Sequence, residues 1–173
     1  RLNAYGVSSK VKVAIKNIDV TNIYPDNYCT SLREKLAKKY NIEKERFIFG
    51  NGSVEIIQML SRVLLDKDDE MITCVPSFQS YNSEAIIQDA KIIEVPLKEY
   101  VFDLNGILEK ITRKTKLIFI TNRNNPTGTI ITEADLIEFL NMVPRDIIVV
   151  LDEAYAEYVT DINYPNSLRL AES

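Results

Sequence analysis

The stretch IIVVLDEAYAEY, residues 147–158, runs through five apolar side chains and then sets two acids side by side, Asp152 and Glu153. A run so continuously apolar and rich in β-branched residues reads as a strand buried on both faces, as in a parallel sheet. A carboxylate at the end of such a strand is costly unless something pairs with it. Two readings of Asp152 stay open on this stretch alone. It is the N-cap of a following helix, worth about 1 kcal/mol, with Glu153 left to solvent, or it is the counter-ion of a bound cation.

Working outward, four more short apolar runs have the same character: RFIFG (46–50), EMITCV (70–75), KIIEVP (91–96) and KLIFIT (116–121). Helical periods lie between them. Ser31 and Glu34 form a capping-box pattern ahead of Leu32, Leu36, Ala37 and Tyr40. From Val54, the residues Ile56, Ile57, Leu60, Val63 and Leu64 predict a strongly buried helix. Leu104, Ile107, Leu108 and Ile111 predict another, Leu136, Ile137, Leu140 and Val143 a third behind a Thr132 cap with Asp135 three residues on, and a weaker one covers roughly 80–89. Strands alternating with helices in this way imply βαβ units, an α/β domain with a mostly parallel sheet and helices on both faces. In such sheets ligands bind at the carboxyl ends of the strands.

Composition narrows the chemistry. The 173 residues suffice for one sizeable core, with 46% apolar and 27% charged residues. A net charge of -4 and the lack of a basic cluster argue against nucleic acid. No apolar stretch approaches the ~20 residues that span a bilayer, and no signal-peptide pattern is visible. Cys29 and Cys74 have no metal-type spacing, and Cys74 sits in an apolar run, which suits a reducing, cytoplasmic setting. There is no histidine, so any catalytic proton transfer within the chain runs without imidazole.

Besides the one that ends in Asp152, three strand ends carry unusual residues. In FGNGSVEII (49–57), Gly50 and Gly52 precede a helix, and the amides of Ser53 and Val54 form either a phosphate cradle or an ordinary glycine-rich turn. Neither the G-x-x-x-x-G-K-[ST] nor the G-x-G-x-x-G fingerprint is met. In CVPSFQSY (74–81), Phe78 is placed to cover a planar ligand or simply to fill core. In TNRNNPTGT (121–129), Asn122, Asn124 and Asn125 crowd against Pro126 and Gly128, more amides than a plain turn requires.

Taken together, NGSVE (51–55), PSF (76–78), NNPTG (124–128) and DEAYAEY (152–158), in this order and on these strand ends, closely resemble the fold type I aminotransferases among pyridoxal-phosphate enzymes. They look most like the histidinol-phosphate aminotransferase group, as do the upstream YPD (24–26) and the run NIEKERFIFGNGSVE (41–55). The resemblance implies an amino transfer between an amino acid or amino-alcohol phosphate, such as histidinol phosphate, and 2-oxoglutarate, with pyridoxal 5'-phosphate as cofactor. It implies that Asp152 faces the pyridine nitrogen, that Tyr155 and Asn125 bond the phenolic oxygen, and that Ser53 and Val54 hold the phosphate. Phe78 then stacks on the ring, Tyr24 reaches the phosphate of a neighbouring subunit's cofactor in a homodimer, and Tyr5 lies near the substrate.

The sequence also departs from the pattern. The family's Schiff-base lysine stands on the order of 30 residues past the aspartate, whereas the sequence ends at Ser173, 21 residues after Asp152 (173 minus 152). The expectation is a partial large domain, inactive alone: 1–30 an N-terminal arm and dimer segment, 31–173 the cofactor-binding part, with the small C-terminal domain outside the sequence. Tyr5 follows RLNA, a shorter segment than the family's, Arg123 replaces the usual proline before NNPTG, and Val54 replaces a frequent acid. Alternatives are a decarboxylase of the threonine-phosphate type on the same cofactor contacts, or a non-catalytic α/β domain binding a phosphate or nucleotide at the Gly52 turn.

Overall fold

The computed structural model describes residues 6–19 and 22–171. They group into two compact units, 1–48 and 49–173.

The first unit holds α1 (Ser9–Lys16), α2 (Thr30–Tyr40) and a 3-10 turn at Lys44–Arg46. Helix α1 falls in the stretch read as an arm, and the Ser8 hydroxyl accepts the Val11 amide at its start. The capping box expected at Ser31 does not form. Cys29 takes a left-handed backbone (φ 48°) and the helix begins before Ser31. The Asp26 carboxylate accepts the Thr30 amide at 2.8 Å and the Tyr28 amide at 2.9 Å instead. Its bonds to Thr30 hold its pKa below the usual carboxylate range.

The expected strand at 46–50 takes no place in the sheet. Its start is the 3-10 turn, Ile48 is largely exposed, and the Phe47 carbonyl accepts from the Arg33 guanidinium rather than from a neighbouring strand. A side chain has met the backbone group that a ladder would have used.

The second unit contains the other four expected strands: β1 (Glu70–Val75), β2 (Lys91–Pro96), β3 (Thr115–Thr121) and β4 (Ile148–Asp152). They form one parallel sheet in the order β2-β1-β3-β4. Parallel strands need crossovers, supplied by α4 (Ser80–Ile87), α5 (Leu104–Lys110) and α6 (Glu133–Met142), with α3 (Ser53–Leu64) ahead of β1 and a short α7 (Ser167–Leu170) after β4. The Thr132 hydroxyl accepts the Asp135 amide at 3.2 Å, the cap expected for α6.

Alternation along the strands separates two apolar layers. Met71, Leu117 and Phe119 face α3 and α4 and pack with Ile57, Tyr81 and Ala85. Ile72, Cys74, Ile118 and Ile120 face the other way and pack with Ile107 of α5 and Leu136 and Phe139 of α6. The near-continuous apolar character of β1 and β3 follows, since both of their faces are covered. Helix α3 departs from its expected burial: only Ile57 and Ser61 are buried, and Val54, Met59 and Val63 are exposed.

Candidate functional site

Because the four strands run parallel, their carboxyl ends open on one edge of the sheet. Thr121, the last residue of β3, is registered directly against Asp152, the last of β4. The loops that leave these ends carry most of the residues singled out in the sequence.

Asp152 is half-buried and engaged on both oxygens. Oδ2 accepts the Tyr81 hydroxyl at 2.7 Å and Oδ1 accepts the Ala154 amide at 3.1 Å. The second bond is an Asx turn leading to the 3-10 turn Ala156–Tyr158, so Asp152 does organise the chain after it. Two partners do not exhaust a carboxylate, which has about four lone-pair sites. Capacity remains for a donor from outside the chain.

Tyr81 is fully buried. Its ring stacks on Phe119 (centroids 4.4 Å, planes 5° apart) and meets the edge of Phe78 (5.6 Å, 81°). Burial first, and then the Asp152 charge, push the phenol well above its usual pKa, so it remains a proton donor. Phe78 is thus half-buried beside this stack and lines a cleft of about 380 Å³ at the end of β1, with Ser77, Gln79, Asn82 and Glu94. A second cleft of about 340 Å³, between α5 and α6, contains none of the strand-end residues.

The asparagine loop after β3 sorts into two kinds of residue. Asn122 is buried and closes the loop, accepting the Ile131 amide at 2.9 Å and donating to the Ile131 carbonyl at 3.1 Å. Asn124 is buried and bonds Ser77, Thr127 and the Pro76 carbonyl. Arg123 donates to the Gly128 carbonyl at 2.8 Å and braces the turn where proline was expected. The Asn125–Pro126 bond is cis. Among the described residues, the Asn125 side chain makes no hydrogen bond, so it is the one amide of the three that is left for a ligand.

Ser53 and Val54 form the first turn of α3 behind Gly52, whose φ of 78° suits glycine. Gly52 supplies no side-chain cap, so among the described residues the first amides of α3 are unclaimed by a cap. Glu55 folds back onto the Asn51 amide and side chain, which directs its charge away from those amides. Ile57, one turn on, belongs to the same apolar cluster as Tyr81 and Phe119, which ties α3 to the Asp152 side of the sheet.

Glu153 is not left to solvent, as the capping reading of Asp152 would have it. It is half-buried and accepts the Ser167 hydroxyl, and burial raises its pKa above the carboxylate range. Tyr164 donates to the Asn122 carbonyl, so the chain after β4 folds back over the loop after β3. Tyr155, three residues past Asp152 in the chain, is about one-third exposed. Tyr24 lies in the first unit and is almost wholly exposed. Tyr5 lies outside the described residues. Tyr81, Thr121 and Ser77 were missed by sequence reasoning. The only signal for Tyr81 was its position three residues beyond Phe78, one helical turn.

The donor set has a definite character. An anionic acceptor, a free amide, a phenol, an aromatic face and a set of uncapped helix amides suit a planar ligand with a cationic ring nitrogen and an anionic tail. Among the described residues no group of three or more Cys, Asp or Glu residues could hold a metal ion, and no helix is long and apolar enough to cross a membrane.

The family model for aminotransferase class I and II matches residues 3–172. The chain is 44% identical over 171 residues to a histidinol-phosphate aminotransferase of Staphylococcus epidermidis, covering 98% of the chain and 49% of that protein. It is 44% identical over 167 residues to another from Halalkalibacterium halodurans, covering 96% and 45%. The chain therefore spans about half the length of the curated relatives it matches. Among solved structures, a histidinol-phosphate aminotransferase from Sinorhizobium meliloti in complex with pyridoxal-5'-phosphate superposes with a TM-score of 0.88 at 23% identity, over 93% of this chain and 44% of that one. That likeness concerns the fold. An aspartate aminotransferase from Thermus thermophilus gives 0.74 at 27% identity, over 81% and 39%. On the family match across nearly its whole length, the chain belongs to the aminotransferase class I and II family.

Proposed function

We propose that this chain is the cofactor-holding part of a pyridoxal-phosphate-dependent aminotransferase. The observation that carries the reading is the Asp152 carboxylate, fixed at a strand end by Tyr81 with lone pairs to spare, in a chain whose similar relatives are named histidinol-phosphate aminotransferases. When bound, the cofactor supplies an electron sink for charge developing at the amino-acid carbon. Asp152 holds the proton on the ring nitrogen, and Phe78 covers the ring face. Asn125 and Tyr155 donate to the phenolic oxygen, and the amides of Ser53 and Val54 receive the phosphate at the positive end of α3.

The amino donor in this reading is an amino acid or an amino-alcohol phosphate such as histidinol phosphate, with 2-oxoglutarate as the acceptor. No lysine stands among the strand-end residues that would hold the cofactor. Tyr24, exposed in the first unit, serves the cofactor of a second subunit, with residues 1–30 as the arm that reaches it and Tyr5 near the substrate. The apolar side chains that α3 exposes, Val54, Met59 and Val63, are in keeping with a homodimer. Both cysteines are unpaired, in keeping with a reducing cytoplasm.

The test is a titration of this chain with pyridoxal phosphate, followed by borohydride. Saturable binding that Asp152→Ala weakens at least tenfold, with no stoichiometric lysine adduct, is the expected result. Wild-type affinity in Asp152→Ala, or a single stoichiometric adduct on a lysine of this chain, overturns it. With the longer protein, formation of a keto product rather than carbon dioxide separates transamination from decarboxylation.

A further inference from the structure

Four oxygen contacts lead from Asp152 into the protein. The Tyr81 hydroxyl lies 2.7 Å from Asp152 Oδ2 and 2.8 Å from the Thr121 hydroxyl. Thr121 lies 2.9 Å from the Ser77 hydroxyl, and Ser77 lies 3.0 Å from Asn124 Oδ1. Only three hydroxyl protons serve these four contacts, because an ionised carboxylate and an amide oxygen only accept.

The proton directions follow from the far end. Thr129 donates to the Tyr100 carbonyl at 2.6 Å, so its 2.8 Å contact with Thr127 uses the Thr127 proton. Thr127 then accepts from Asn124 Nδ2 at 2.8 Å, and the same nitrogen donates to the Pro76 carbonyl. These bonds assign the amide of Asn124: Oδ1 faces Ser77, and Ser77 donates to it. The Ser77 proton is therefore committed, and Thr121 gives its own proton either to Ser77 or to Tyr81. The Tyr81 proton goes to the carboxylate, since a charge-assisted bond is stronger than a neutral one. The missing proton is felt at Thr121, and Asp152 keeps its donor whichever way Thr121 turns.

Resting on the reading of Asp152 as the partner of the cofactor's ring nitrogen, we propose that Tyr81 is a positioning residue that fixes the Asp152 carboxylate and couples it to the ring-covering Phe78. Tyr81 is suited to this because it is immobile: fully buried, stacked flat on Phe119, and edge-on to Phe78. One side chain thus touches both groups that would grip the ring, at its nitrogen and on its face.

The experiment measures the dissociation constant of pyridoxal phosphate by equilibrium dialysis, and the 15N shift of ring-labelled cofactor against pH, for wild type, Tyr81→Phe, Thr121→Val and Asp152→Ala. Tyr81→Phe keeps the stack and removes the donor. It is expected to weaken binding about tenfold and to move the ring-nitrogen titration to lower pH. Thr121→Val, which removes two contacts of the same chain but no donor from Asp152, is expected to stay within about twofold of wild type with an unchanged 15N profile. Equal losses in Tyr81→Phe and Thr121→Val would mean a merely structural network and overturn the inference. So would wild-type binding and 15N profile in Tyr81→Phe while Asp152→Ala binds weakly, a result that leaves the cofactor reading intact. Wild-type affinity in Asp152→Ala, or no binding by the wild type, removes the cofactor reading and the inference together.

Discussion

Tyr81 lies flat on Phe119, with ring centroids 4.4 Å apart and planes 5° from parallel, and both side chains are fully buried. The phenol that holds Asp152 therefore rests on a residue in the middle of β3. Phe119→Ala would remove that support and leave a cavity in the layer beneath α3 and α4, at a cost of about 3–5 kcal/mol. Tyr81→Phe would forfeit the charge-assisted bond to Asp152 and the contact with Thr121, roughly 1.5–3 kcal/mol. Urea unfolding monitored by circular dichroism ranks the two, and a smaller loss in Phe119→Ala than in Tyr81→Phe would contradict this account of the stack.

The sheet was legible in the sequence because its strands are largely apolar, but only β1 and β3 are covered on both faces; the edge strands β2 and β4 carry the same mark and stay partly exposed, so β4 is not the fully buried strand its run suggests. The run at 46–50 carries it too but takes no place in the sheet's order, since joining a sheet depends on the neighbour as well as on the run. Asp152 was legible because an acid after five apolar residues breaks the local pattern. Tyr81 was not, since a tyrosine on a helix face looks the same whether it fills core or aims a hydroxyl at an acid 71 residues away. The setting of Glu153 escapes the local pattern for a similar reason: its partner Ser167 arrives from a later turn of chain.

Gly52 and Gly106 separate backbone strain from crowding. A Cβ at Gly52 meets nothing within 4 Å, so Gly52→Ala would pay only for φ +78°, about 1–2 kcal/mol, and would disturb the start of α3. A Cβ at Gly106 would lie 2.8 Å from Asp103 Oδ2 and 2.9 Å from Val95 Cγ1. Helix propensity returns about 1 kcal/mol there, while overpacking costs about 1–3 kcal/mol, so a small net loss is expected. Cofactor titration beside urea unfolding distinguishes them: Gly52→Ala should weaken phosphate-dependent binding and Gly106→Ala should not.

The two thiols should differ in reactivity. Cys74 is buried in β1 and desolvation pushes its pKa up to about 12, whereas Cys29 is half-buried and unpaired. A disulfide reagent at neutral pH is expected to modify one thiol per native chain and two after unfolding. Rapid reaction of both in the native protein would place Cys74 outside the core.

The raised pKa of Glu153 gives stability a pH dependence of known sign. The folded chain binds that proton more tightly than the unfolded chain does. Stability is therefore fullest below the ordinary carboxylate pKa and declines as pH rises through the raised folded value. Glu153→Gln keeps an acceptor for Ser167 and removes the titration. Its thermal midpoint should exceed that of wild type well above neutrality, with the two converging near roughly pH 4. A constant difference across that range would assign the pH dependence elsewhere.

Asn124 and Asn125 are adjacent amides with opposite duties. Asn124 is buried, accepts from Ser77 and donates to Thr127 and the Pro76 carbonyl. Asn124→Ala would leave the Ser77 hydroxyl and that carbonyl without their partner in a buried setting, a loss of about 1–3 kcal/mol. The Asn125 side chain bonds no described residue, so Asn125→Ala should change stability by no more than about 0.5 kcal/mol. On the proposed reading its effect should appear in the ligand instead, as a shift of the bound cofactor's absorption band, because the phenolic oxygen would lose a donor. If Asn125→Ala destabilised the fold as much as Asn124→Ala, Asn125 would be a second brace of the turn, and the donor to the phenolic oxygen would have to be sought in Tyr155 alone.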